Sequence, residues 1–316
     1  MLGPIFFRQD VRFNYDDTKN LIRYQLGDLN YRVNQFQAFQ AGAGFLASTN
    51  FDLDPYRLFN PLSFKEITLN TPSRVRVFIN NVLVQTLNLP TGRHRLDNLP
   101  LNEGINDVRI EIQDNRGRRE EINFKGTTSY SLIADGVHDF TYGLGVPALE
   151  QFSERRYDSE DQKYFLVMNH LYGLGDRTNI GFGFMGDNWQ KLASLRYLHQ
   201  SFLGLTDLNL SGSFLQKPNV GEKGSGLGAR LTHLFRDYSG DDRLLRNIDF
   251  GLEYLGPGFT SMGLLSASDS ASLAPELGVT QFLSDKLNAR LRVSYRSFSP
   301  LLFFLKGEGR LIVGFH

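Results

Sequence analysis

The chain has 316 residues with 34 basic and 34 acidic side chains, and its formal charge of zero offers no general attraction to nucleic acid. It contains no cysteine, which excludes a disulfide framework and Cys-ligated metal. No window approaches the roughly 18 consecutive apolar residues of a spanning helix, and MLGPIFFRQD at the start lacks the charged and apolar regions of a signal peptide, so any export leader is expected to lie outside this chain.

Taken in chain order, residues 1–50 hold a hairpin, FFRQDVRFNYDDTKNLIRYQLGD, turning at DDTKN, and a further strand in QFQAFQAGAGFLASTNF. A different pattern follows. Val75, Val77 and Ile79 alternate with Arg74 and Arg76, the pair Asn80 and Asn81 marks a turn, and VLVQTLNL follows. A later strand sets Val108, Ile110 and Ile112 against Arg109, Glu111 and Gln113. This predicts a small inserted β-sandwich over residues 62–126, its core built from Val75, Val77, Ile79, Leu83, Leu87, Val108, Ile110 and Ile112.

From residue 138 onward, runs of about ten residues alternate in the same way between turn signals. TNIGFGFMG places Ile180, Phe182 and Phe184 against glycines, and TDLNLSGSFL places Leu208, Leu210 and Phe214 against Asn209, Ser211 and Ser213. NIDFGLEYLG sets Ile248, Phe250, Leu252 and Tyr254 against Asp249, Gly251 and Glu253. KLNARLRVSYRSF sets Leu287, Leu291, Val293 and Tyr295 against Arg290, Arg292 and Arg296. A soluble sandwich also alternates. Charges in strand interiors, namely Arg290, Arg292, Arg296, Glu253 and Glu308, instead suit a water-filled lumen with the apolar parity facing lipid. Connections are expected to alternate between tight (LGDRTN, LSDKL) and longer (QKPNVGEKGSG, FRDYSGDDRLLRN). The fold class is therefore all-β: a partial antiparallel transmembrane β-barrel carrying an inserted small β-sandwich, divided as 1–61, 62–126 and 127–316.

Other chemistry is thin. GSGLGA at 224–229 has neither phosphate-loop spacing and opens a strand, and the six histidines are scattered without ligand spacing. No catalytic residue, cofactor or metal is expected. His199, Gln200 and Ser201 near a strand end leave a barrel hydrolase as a remote alternative, and a plain porin as a nearer one.

The succession of LGD, a Gly-rich strand, PSRVRVFINNVLVQTLNLPTGRHRLDNLPL, INDVRIEIQDNRGRRE and ADGVHDFTYGLGVP resembles the outer-membrane usher of chaperone/usher fimbriae. In that family a sandwich of this cadence is a plug domain inserted between strands of the pore. The resemblance implies a pore of the bacterial outer membrane that secretes pilus subunits brought by a periplasmic chaperone. Its partners would be outer-membrane lipid, pilus subunits and chaperone–subunit complexes, and pairing of two ushers as a dimer is admitted. The family's periplasmic N-terminal domain and two C-terminal domains are not visible in this sequence, so the chain looks like a fragment or a truncated relative. If the insert is a plug, Arg74, Arg76, Arg93, Arg95, Arg109, Arg116, Arg118 and Arg119 are its candidate contacts to lumen acids such as Glu253 and Glu308. With strands about 4.8 Å apart and tilted about 40°, fourteen of them close to a radius of roughly 14 Å, in which a two-sheet sandwich barely fits. Either more strands exist or the insert sits outside.

Overall fold

The computed structural model describes residues 10–57, 59–61, 65–97, 99–151, 154–157, 164–217, 222–238, 244–261, 271–284, 287–297 and 307–315. Among them, strands dominate and no helix is long and apolar enough to cross a membrane, a statement that leaves strands free to do so. The chain opens with β1 (Arg12–Asp17), β2 (Ile22–Asp28) and β3 (Gly42–Thr49). Asp17 makes the first hairpin by accepting the amides of Lys19 and Asn20 at 3.1 Å, while Leu21 takes a φ of 57°. β3 begins only at Gly42, so the strand expected through QFQAFQ is instead part of a long connection.

A short 3₁₀ turn (Phe51–Leu53) then leads to β4 (Lys65–Leu69), β5 (Ser73–Ile79), β6 (Val82–Leu89), β7 (Gly92–Leu96), β8 (Gly104–Asp114) and β9 (Arg119–Thr128). β6, β5, β8 and β9 form one sheet in that order, and β4 pairs with β7 as a second. The turn joining β5 to β6 uses Asn80 (φ 48°) and Asn81 (φ 67°), the left-handed pair that matches the twist of a two-residue hairpin. Between the sheets lies a core of Ile67, Leu69, Val75, Val77, Ile79, Leu96, Leu99, Leu101, Val108, Ile110 and Ile112, with Leu87 packed at its edge. Leu83 departs from the expectation and is 50% exposed. The pairing passes from Val77 opposite Gln85 to Phe78 opposite Leu83, so Val84 is an extra bulge residue and everything before it changes face.

The chain resumes with β10 (His138–Pro147), the small hairpin β11 (Leu149–Gln151) and β12 (Glu154–Arg156), then β13 (Phe165–Gly173) and β14 (Thr178–Asp187). β15 (Gln190–Ser201), β16 (Gly204–Lys217), β17 (Glu222–Tyr238) and β18 (Leu244–Leu255) follow. The last are β19 (Ser272–Ser284), β20 (Leu287–Ser297) and β21 (Gly307–Phe315). Leaving out the insert and the β11–β12 hairpin, each strand pairs antiparallel with the next from β1 to β21, β3 passing directly to β10. This is a meandering barrel wall, and among the described residues no pairing joins β1 to β21. The connection expected to be long over FRDYSGDDRLLRN is mostly strand, because β17 and β18 extend into it as far as Tyr238 and Leu244.

The wall inverts the usual distribution of side chains. Phe182, Leu195 and Leu210 stand side by side in register and are 44%, 64% and 48% exposed, and Leu277 opposite Val293 repeats the pattern. Exposed apolar side chains in register on neighbouring strands, with the polar parity turned inward, are the outward pattern of a transmembrane β-barrel wall. Asn169, Ser194, Asn209 and Ser211, on the other parity, are buried.

Candidate functional site

The inner face of the wall carries charge in alternation from strand to strand. Arg196 on β15 reaches Asp207 on β16 through two nitrogens, at 3.1 and 2.6 Å. Glu253 on β18 is shared by Arg230 of β17 at 3.6 Å and Arg296 of β20 at 3.1 Å. Arg292 lies 3.2 Å from Glu276 and 3.9 Å from Asp249. Arg290 has the parity of Arg292 and stands opposite Thr280 and Gly314, while Glu308 is opposite Arg296 in the register and its side chain lies outside the described residues. The sequence pointed to Glu253, Arg292 and Arg296 by parity alone. It did not reveal Arg230, Asp249 and Glu276 as their partners, nor the separate Arg196–Asp207 pair, because such pairs depend on the register between neighbouring strands, which no single strand contains.

Two connections from one end of the wall fold onto this inner face. The β2–β3 connection enters first. Asn169 of β13 holds it: the Asn34 Nδ2 and Gln37 Nε2 groups donate to Asn169 Oδ1 at 2.8 and 2.9 Å, and Asn169 Nδ2 donates to Gln37 Oε1 at 3.0 Å and to the Arg32 carbonyl at 3.2 Å. Tyr31 donates its hydroxyl to the Gln40 carbonyl at 3.0 Å and accepts the Gln40 amide at 2.8 Å, and burial pushes its phenol up to about 12 despite the amide's bond. Leu29, Tyr31, Leu46, Phe165, Val167, Met185, Leu192 and Phe259 form a core here, on the inner side of the wall. The second connection, after β18, brings Phe259 over Gly226 and Gly228, where any side chain would collide with it. Gln190 Nε2 donates to the Ser261 carbonyl at 2.7 Å, and the Thr260 amide donates to Ser213 Oγ at 2.8 Å. The two connections touch each other edge to face, Phe36 against Phe259, with ring centroids 5.2 Å apart. They bridge from β13 to β17 across the interior.

The insert stands at the other end of the wall, against the rim. Its return tether lies on the strand ends: the Ile133 amide donates to Asn179 Oδ1 at 2.8 Å, and the Gly136 amide donates to the Gly173 carbonyl at 3.0 Å. Gly173 is required, since a Cβ there would sit 1.9 Å from the Ala134 carbonyl. At the start of β8, Glu103 pairs with Arg236 of β17 and its carbonyl accepts the Tyr238 hydroxyl at 2.9 Å, while Ile105 makes one parallel bridge to Asp237. Gly104 has a φ of +117°, and a Cβ on it would meet Arg236 Cβ at 2.6 Å, so only glycine allows this approach.

The insert's arginines are placed elsewhere. Arg76 and Arg109 both pair with Glu111, at 2.6 and 3.2 Å, with the Arg109 guanidinium 4.3 Å over Phe78, and Arg95 pairs with Asp97 at 2.5 Å. Arg116 and Arg118 lend backbone amides to Asp114 Oδ1 in the β8–β9 turn. Arg74 lies opposite Asn88 and Gln113, Arg93 opposite Thr68 and Arg119 opposite Gln113, all in the registers of the insert. The ion pair described above between insert and wall thus has the reverse polarity, an insert acid on a wall base. Among the described residues no group of three or more His, Asp and Glu could hold a metal ion.

No family model matches the chain. A stretch of 147 residues, 46% of the chain, is 27% identical to the outer membrane usher protein FaeD of Escherichia coli, of which it covers 17%. Among solved structures, the P pilus tip assembly intermediate PapC–PapD–PapK–PapG of E. coli matches with a TM-score of 0.62 at 13% identity, over 91% of this chain and 35% of that one. The translocation pore of the P pilus usher PapC matches with a TM-score of 0.49 at 13% identity, over 94% of this chain and 58% of that one. The chain spans less than two thirds of the length of each of these proteins. In sequence and in fold, the chain resembles the outer-membrane ushers.

Proposed function

We propose that this chain works as an usher-type pore of the bacterial outer membrane, passing pilus subunits handed over by a periplasmic chaperone and gated by residues 62–126. The observation that carries this reading is the pairing of an inverted wall, apolar outward and charged inward, with a water-soluble sandwich latched to one rim. The insert stands at the end with the tight turns at 18–21, 174–177 and 202–203, the end that in barrels of this kind faces the periplasm. Gating needs weak, polar contacts, and the Glu103–Arg236 pair and the tether's backbone hydrogen bonds are of that kind. Transport of this type is binding and release, without hydrolysis. The similarity to FaeD and to the PapC intermediate, which holds PapD, PapK and PapG, supports chaperone–subunit complexes as the partners.

The test is single-channel recording on the reconstituted chain before and after deletion of 62–126, alongside secretion of a pilin from cells that supply its chaperone. Conductance that rises on deletion, with secretion that needs the chaperone, is the expected result. Equal conductance of both forms, with free passage of small solutes, would make the protein a plain porin.

A further inference from the structure

The four strands at the sheet edges of the insert are not treated alike. β9 carries Arg119, Glu120, Glu121 and Lys125. β4 carries Lys65 and Glu66, and β7 carries Arg93 and Arg95. Charges of this kind keep an open strand edge from pairing with another chain. β6, VLVQTLNL, has no charge in eight residues, and among the described residues it pairs with β5 alone. Val82, Leu83 and Val84 are 46%, 50% and 37% exposed. Three consecutive exposed apolar side chains on a soluble domain are a defect unless something covers them.

The bulge at Val84 explains the exposure of Leu83, whereas Val82, opposite Ile79, is exposed at the open edge beside the turn. The bulge turns Leu83 to the outer face beside Phe78 and leaves Val84 opposite no residue of β5. The residues that follow, Gln85–Leu89, keep a regular pairing with β5 and so present regular free amides and carbonyls on the other side. The apolar strip lies near the barrel. Asn80, just before it, donates Nδ2 to Asn106 Oδ1 at 3.0 Å, and the Asp107 amide donates to Asn80 Oδ1 at 2.9 Å. Those two β8 residues adjoin Ile105 and Gly104, which meet the rim of β17.

We propose that β6 is a docking strand for an extended, uncharged segment of the polypeptide that passes the pore, added antiparallel to the insert sheet with its apolar side chains on Val82, Leu83 and Val84. This rests on the pore reading above, since the position beside the rim is what selects a passing chain as the occupant. Main-chain hydrogen bonds to β6 would supply affinity without sequence demands, and the apolar strip would select against charged segments. A strand so short binds weakly, which suits a partner that must move on.

The experiment uses the full chain in lipid nanodiscs and a synthetic peptide of alternating valine and threonine with lysines at its ends for solubility. Hydrogen exchange of the β6 amides is followed with and without peptide. The expected result is slowing on the order of tenfold at the β6 amides that do not bond β5, with no change at β9. A peptide with proline at every second position, lacking the needed donors, should give no protection. The double variant Leu83→Lys, Val84→Lys, changed only at exposed positions, should lose the protection while keeping the conductance of the parent. No protection by the valine–threonine peptide, or protection that survives in the double variant, overturns the docking strand. Protection that grows with protein concentration in the absence of peptide also overturns it, by making a second copy the occupant. Deletion of 62–126 reports separately on gating: a conductance that ignores the insert sinks the pore reading whatever the peptide does.

Discussion

Insert and wall are written in the same alternation and use it in opposite senses. In the insert, Val75, Val77, Val108 and Ile110 are at most 2% exposed and the arginines between them face water. In the wall, Leu195 and Leu291 are 64% and 40% exposed while Asn209 and Ser211 are buried. An alternating strand therefore states only that its two faces differ. What stands on each side, water or lipid, is decided by where the charged parity finds its partners. In the wall Arg230, Arg292 and Arg296 find acids on neighbouring strands of the inner face. In the insert Arg76 and Arg109 find Glu111 on the outer face.

The most damaging way to break the comparison is a charge in the insert core. Ile110→Asp places a carboxylate at a fully buried site with no partner, at a cost of ~4 kcal/mol or more. Limited proteolysis of the full chain should then cut within 65–128 while the wall stays intact. A cleavage pattern like the parent's would show that the two sheets do not form one core. Next in size is a charge on the outer wall. Leu195→Arg, in the middle of β15, should lower barrel stability by about 2 to 4 kcal/mol if lipid covers it, measured as the midpoint of urea unfolding in vesicles. Leu83→Arg makes the same change at a similarly exposed residue of the insert and should stay within about 0.5 kcal/mol. Similar effects at both sites would remove the distinction between a lipid face and a water face.

The sequence disclosed the parity of KLNARLRVSYRSF and the part of the insert core that β5 and β8 supply, Val75, Val77, Ile79, Val108, Ile110 and Ile112, because each depends only on neighbours within one strand. It hid three things for physical reasons. Leu83 was misplaced because a bulge is one uncounted residue, and nothing local in VLVQTLNL marks it. The cross-strand acids of the wall depend on register, which a single strand does not contain. The connections entering the lumen were missed although a signal existed: FLVM at 165–168 is apolar on both parities, and a wall wetted on one side has no use for Phe165 and Val167 on the inner one. Apolar residues on both faces mean that both faces are covered.

That internal closure gives the third test. Asn169→Ala removes the four side-chain hydrogen bonds that hold the β2–β3 connection and should weaken its docking by about 1 to 3 kcal/mol. Conductance should rise with the insert still present. Alkaline pH should act in the same direction. Tyr31 has its phenol raised in the folded state, so docking keeps its full stability below the ordinary tyrosine value near 10 and loses it progressively as pH rises through about 12. Tyr31→Phe should abolish that loss. An alkaline response unchanged in Tyr31→Phe would assign it to other groups.

The smallest effect belongs to the rim latch. Glu103 and Arg236 are partly exposed, with side-chain accessibilities of 23% and 29%, so the pair is worth about 1 kcal/mol at most and salt should weaken it. Glu103→Gln should therefore leave the stability of both insert and wall unchanged, yet shift the balance between docked and released insert by up to about fivefold, seen as longer open times in single-channel records. Exchanging the pair, Glu103→Arg with Arg236→Glu, should restore the parent's open times if the coupling is between these two groups. Gly104→Ala separates charge from shape, because its added Cβ collides with Arg236 while leaving the carboxylate in place. If Gly104→Ala releases the insert and raised salt does not, close backbone approach holds the latch; if salt acts and Gly104→Ala does not, the ion pair does. Open times indifferent to all of these changes would mean that the docking of the insert at β17 has no part in gating.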